Sequence, residues 1–155
     1  MLTALRFTIR LMSKYQFRVE VHPQYLPEHS APAQDLYTFS YTITITNTGS
    51  VAAQLVSRTW NVNDANGHNE KVKGLGVVGQ QPLLNPGQSF EYTSGTRLRT
   101  ATGTMHGSFF CVAEDGEKFD ADVPMFVLDA LSHLMGNDKG RGDDSGAGPS
   151  PRTLH

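Results

Sequence analysis

The chain has 155 residues, 38% of them apolar and 18% charged, with a formal net charge of −2 and one cysteine. That length lets a single domain bury a core without a disulfide staple, and the weak charge argues against a dedicated nucleic-acid binder, which carries a basic field. Lone Cys111 allows neither an intramolecular disulfide nor a cysteine-based zinc site, and no apolar run reaches the roughly 18–20 residues of a membrane span, so a cytoplasmic protein is expected.

The opening MLTALRFTIRLM carries Arg6 and Arg10 but lacks a small-residue cleavage site. Residues 1–13 read as an extension, with Met12 an alternative start. From Tyr15 a strand begins, because Tyr15, Phe17, Val19 and Val21 alternate with Gln16, Arg18, Glu20 and His22. Pro23 is expected to end it. Tyr37, Phe39, Tyr41, Ile43 and Ile45 then alternate with Thr38, Ser40, Thr42, Thr44 and Thr46, one face greasy and the other a threonine ladder suited to solvent.

Past a turn at 47–50, a strand over about 52–63 sets Val56, Arg58, Trp60 and Val62 on one side, with Leu55, Ser57, Thr59 and Asn61 on the other. Asn66-Gly67 supplies the positive-φ positions of a hairpin. Lys71, Val72 and Lys73 lead into a glycine stretch, and a turn at Pro86-Gly87 precedes a strand around Phe90 and Tyr92. Thr104–Val112 and Phe119–Leu128 are two more strands, joined at Glu114–Glu117. About seven strands with no earlier helix point to an antiparallel all-β sandwich over 14–128. DALSHLM has room for a turn or two of helix, and 129–155 as a whole reads as a flexible glycine-rich tail, disordered from 136 onward.

Gly74-x-Gly76-x-x-Gly79 matches the glycine spacing of a dinucleotide fingerprint, which needs a helix directly after it to face the pyrophosphate. Pro82 and Pro86 forbid that helix. Two readings stay open. The glycines either permit a bulge or a crossing between sheets, or form a nest of backbone amides for a phosphate or pyrophosphate anion. Lys71 and Lys73, two apart in an extended segment, point the same way beside the loop, so the candidate anion site is Lys71, Lys73, Gly74, Gly76 and Gly79.

Trp60 reads as core packing and Cys111 as a buried, inert thiol. The six histidines show no metal-ligand spacing, Asp143-Asp144 sits among solvating charges, and no Gly-x-Ser-x-Gly elbow is present. Neither a catalytic residue, a metal site nor a cofactor is expected.

YQFRVEVHPQYLPEHS, YTFSYTITITNTGSVAAQLVSRTWNVNDANG, VKGLGVVGQQPLLNPGQSFEYTSG and GTMHGSFFCVAEDGEKF together resemble the ApaG family over about 15–128. The resemblance implies an immunoglobulin or fibronectin type III-like sandwich and a protein-interaction module. It also implies an indirect association with cobalt resistance and magnesium efflux, and it brings proposals of pyrophosphate or nucleotide binding at the glycine motif, here Gly74, Gly76 and Gly79. Two positions depart from the family pattern: Thr59 replaces a common His before Trp60, and Leu75 replaces a common acid. The expected function is a non-catalytic binding module with a protein partner and room for self-association. Anion or nucleotide binding is the alternative, and weak phosphohydrolase activity ranks below it.

Overall fold

A computed structural model describes residues 13–136; the segments before and after, including most of the expected extension and tail, Asp143-Asp144 and His155, lie outside the described residues. Among the described residues, eight strands form two antiparallel sheets. Strands β1 (Phe17–Tyr25), β2 (Tyr37–Asn47) and β6 (Ser89–Leu98) make the first, in the order β1-β2-β6. The second runs β4 (Asn69–Leu75), β3 (Ala53–Asp64), β7 (Thr102–Ala113), β8 (Lys118–Asp129), and the two-residue β5 (Leu83–Leu84) pairs with β3. This is the all-β sandwich expected from the alternation, with one strand more than the count.

Inward-facing residues of both sheets close the core: Phe39, Ile43 and Ile45 from the first sheet meet Leu55, Phe109, Cys111 and Leu128 from the second, all essentially fully buried. Trp60 sits among them, edge-on to Phe109 at 6.0 Å and to Phe126 at 6.1 Å, and 5.4 Å from Tyr41 of the facing sheet. On the outer face of β2 the threonine ladder forms as expected, with hydroxyl pairs Thr42–Thr93 at 2.8 Å and Thr46–Ser89 at 2.7 Å. Cys111 is buried, and desolvation pushes its thiol up to about 12, so it stays protonated at neutral pH.

Three local expectations are corrected. Pro23 does not stop β1, which runs on to Tyr25 with Pro23 opposite Tyr41. Because β1 lies at a sheet edge, a residue with no N–H leaves its only neighbouring strand adequately paired. In β3 the register shifts between Leu55 and Ser57, so Val56 is an extra residue. The bulge turns Leu55 onto the same core face as Trp60, where strict alternation had put them on opposite sides. The glycine stretch is not a crossing between sheets either. The chain leaves the β3 edge at Gly76, whose N–H bonds Val56 O at 2.8 Å, and rejoins it at Pro82, whose carbonyl accepts from Leu55 N at 3.0 Å. The crossing comes at 85–88, fastened by Gly87 N to Asn47 O at 2.8 Å.

Asn47 holds that corner as a fully buried side chain. Its Nδ2 donates to Val51 O at 3.0 Å and Leu84 O at 2.9 Å, and its Oδ1 accepts from Gly49 N at 2.9 Å, so both amide hydrogens and the carbonyl oxygen are engaged. After β8, a six-residue helix α1 (Leu131–Gly136) realises the expected helical turns. Asp129 caps it by accepting from Leu131 N at 2.8 Å and from Ser132 Oγ at 2.7 Å.

Candidate functional site

The two sheets leave a cleft of about 420 Å³ along the flank where β4 and β6 are the free edges. That volume falls in the range of small-ligand pockets. One wall comes from Tyr92, Ser94 and Thr96, the inward positions of β6, and the other from Val72 of β4 and the loop residues Val77 to Gly79. Trp60, Val62 and Met105 form the apolar floor, with Arg58 set among them.

Arg58 is on the inner face of its strand because it shares that face with Trp60 and Val62 and pairs across to Phe109. Its Nη1 donates to Leu75 O and Gly76 O, both at 2.9 Å, which ties the glycine loop to the sheet. Gly74 makes this arrangement possible. A Cβ there would lie 2.8 Å from the guanidinium carbon and both terminal nitrogens, so any side chain would displace the arginine. The only ion pair among the described residues is Arg18–Glu20 on the surface, which leaves Arg58 without a carboxylate partner.

Two phenols face this cation. Tyr41 is hydrogen-bonded to Ser94, and Tyr92, 6% exposed, has a buried hydroxyl with no hydrogen-bond partner among the described residues. Burial raises both phenols above their ordinary range, while Arg58 pulls them the other way. Both remain neutral hydroxyls at physiological pH.

At the lip, Val78 and Gly79 form a tight turn with φ of 44° and 79°, closed by reciprocal hydrogen bonds between Val77 and Gln80. A β-branched residue at positive φ is strained. Leu75, 76% exposed, and Val78, 39% exposed, add an apolar rim.

The residues singled out from the sequence separate here. Gly74, Gly76 and Gly79 belong to the cleft wall or its immediate support, with Gly76 and Gly79 at positive φ. Lys71 and Lys73 do share one side of β4, opposite Asn61 and Thr59, but it is the outer face, exposed and turned away from Val72 and the cleft. Among the loop amides, those of Gly76, Val77 and Gln80 already donate to backbone carbonyls. Arg58, Tyr92 and the Tyr41–Ser94 pair were not singled out from the sequence. The one visible signal was an arginine between Val56 and Trp60 on an otherwise apolar strand face. Among the described residues no three His, Cys, Asp or Glu side chains are grouped so that they could hold a metal, and no helix is long and apolar enough to cross a membrane.

Fold and site together define a β-sandwich domain with a ligand-sized cleft between its sheets. The ApaG domain model matches residues 27–113, and the chain belongs to the ApaG family. Protein ApaG of Acidovorax sp. (strain JS42) is 68% identical over 123 residues, covering 78% of this chain and 90% of that protein. Protein ApaG of Ralstonia nicotianae is 59% identical over 117 residues, covering 76% of this chain and 94% of that protein. Among solved structures, the ApaA protein from Bordetella pertussis superimposes with a TM-score of 0.75 at 49% identity, covering 77% of this chain and 98% of that one.

Proposed function

We propose that this protein is a non-catalytic, cytoplasmic binding module whose partner is another protein, engaged along the β4–β6 flank. The observation that carries this reading is the coincidence of a free strand edge with an open cleft: β6 ends its sheet, and the cleft lies directly beneath its inward residues. An unpaired edge offers backbone groups to an extended partner strand, and the pocket beside it reads alternate side chains. We also read the strand order, β1-β2-β6 facing β4-β3-β7-β8, as immunoglobulin or fibronectin type III-like, a fold often used for interaction; that support is analogy. The association of the family with cobalt resistance and magnesium efflux is then indirect, acting through the partner.

The test is affinity capture with the full chain, followed by hydrogen exchange on the purified complex. Protection of the amides of β6 and of residues 74–79 is expected. Protection confined to β1 and β8, or efficient substrate turnover by the protein alone, overturns the reading. Self-association through the same edge would show the same protection in a concentrated sample without any partner.

A second reading keeps Lys71, Lys73, Gly74, Gly76 and Gly79 as a phosphate, pyrophosphate or nucleotide site. It is favoured by the two adjacent lysines on one face and by the left-handed kink at Val78-Gly79. Calorimetry with pyrophosphate at low salt tests it, and binding that survives Lys71→Ala with Lys73→Ala removes those two residues from it. Weak phosphohydrolase activity ranks below both and requires phosphate release that follows the protein through purification and is lost on mutation.

A further inference from the structure

We propose that the cleft recognises a carboxylate carried on an apolar group, the terminal carboxylate of an extended chain, with Arg58 as the anchor and the Tyr92 hydroxyl as a second donor. This rests on the binding-module reading above and names what the module reads.

Arg58 has donors to spare. Its guanidinium has five N–H groups, and the two on Nη1 are engaged by Leu75 O and Gly76 O. Nε and Nη2 remain, the side-on edge whose parallel N–H groups match the two oxygens of one carboxylate. That edge has no acid opposite it among the described residues. A half-buried cation without a counter-ion, lying between apolar walls, is costly in the free protein unless something else offsets it.

Tyr92 is a second and independent observation. Its hydroxyl is enclosed, belongs to a residue that lines the same cleft, and has no partner among the described residues. A buried unsatisfied hydroxyl destabilises the free protein, and a ligand oxygen would satisfy it. The guanidinium of Arg58 can only donate and the Tyr92 hydroxyl is able to, so an acceptor on the ligand serves both.

A carboxylate fits better than a phosphate on two counts. The cleft holds one cation, since Lys71 and Lys73 face outward, and one cation balances a monoanion. The walls around it, Trp60, Val62, Val72 and Met105, are apolar and suit the side chain that carries the acid. The free β6 edge beside the cleft supplies pairing for the residues preceding that terminus.

Trp60 is the sole tryptophan and lines the cleft, so its emission reports occupancy directly. The full chain is titrated with an acetylated pentapeptide ending in leucine with a free carboxylate, the same peptide amidated, N-acetyl-leucine, and inorganic phosphate. The free-acid peptide is expected to give a saturable change, with the amide at least tenfold weaker. Arg58→Gln should lower affinity tenfold or more, and Arg58→Lys, which keeps the charge and loses the fork, should fall between. Tyr92→Phe should weaken the acid several-fold while leaving the unfolding midpoint unchanged or higher. That pairing of effects is not expected of a merely structural tyrosine.

N-acetyl-leucine binding as well as the peptide supports the carboxylate and assigns it to a free small acid. Equal binding of acid and amide overturns the inference yet leaves the binding-module reading standing. Phosphate competing as strongly as the acid also overturns it, in favour of a general anion site. So does the absence of any saturable change, with the fate of the module reading decided separately by hydrogen exchange on a captured partner.

Discussion

The two flanks of the sandwich are built on opposite plans. Where β1 meets β8, Phe17 packs edge-on to Phe119 at 5.5 Å, Tyr15 lies 6.1 Å from the same ring, and the Tyr15 hydroxyl donates to Asp115 across the seam. Aromatic side chains fill the gap between sheets and polar atoms are paired at its rim. Where β4 meets β6 the gap stays open and, among the described residues, an arginine lacks a counter-ion, a tyrosine hydroxyl lacks a partner and a valine is held at positive φ. The same two sheets thus meet in a sealed seam on one side and an open cleft on the other. Of the two flanks, only the open one carries these unsatisfied groups and the strained valine, and this supports the proposal that it receives a ligand.

Substitutions can break or sharpen this contrast. Phe17→Ala on the sealed flank should have the largest effect, a loss of about 3–5 kcal/mol for a large aromatic removed from a packed site. Denaturant unfolding measures it, and the folded fraction should still bind at the cleft with unchanged affinity. On the open flank, Gly74→Ala should cost only about 1 kcal/mol, because the atom it strikes is the far end of a flexible side chain. Its effect on cleft binding should be much larger than its effect on stability, since the Arg58 guanidinium must move. The opposite sign is expected for Val78→Asn, which suits a left-handed turn position: a gain of about 1 kcal/mol, read as a higher unfolding midpoint.

The smallest effect concerns the seam of the sealed flank. The Tyr15 hydrogen bond, with help from the Glu117 amide, lowers the carboxyl of Asp115, and the same bond raises the phenol. A lowered acid adds stability above its unfolded range and loses it as pH falls through the folded value. A raised phenol adds stability below its unfolded value and loses it as pH climbs through the folded one. The bond therefore contributes between those limits and fades at both ends. Tyr15→Phe should flatten the pH dependence of stability at acid and alkaline extremes, with a small change at neutrality because the Asp115 carboxylate is exposed and solvent screens the pair.

Much of the fold was legible because alternation is a local signal. The greasy and threonine faces of β2 follow directly from its period of two. The bulge at Val56 was not legible, since one inserted residue among Leu55, Val56 and Ser57 leaves no compositional trace. Nor was the continuation of β1 through Pro23, which depends on that strand lying at an edge. The site was half legible. Gly74, Gly76 and Gly79 stood out by spacing, and period two correctly put Lys71 and Lys73 on one side of β4. Which side faced the other sheet was a tertiary fact. Arg58, Tyr41 and Tyr92 come from three strands, so no sequence spacing brings them together.

The most direct test of the central claim is amide chemical-shift mapping of the full chain during titration with a captured partner or the leucine-terminated acid. Perturbations are expected to concentrate at Arg58, residues 74–79 and the β6 residues 92–96. Perturbations centred on the outward face around Lys71 and Lys73, or on the β1–β8 seam, with residues 74–79 and 92–96 unmoved, would contradict it.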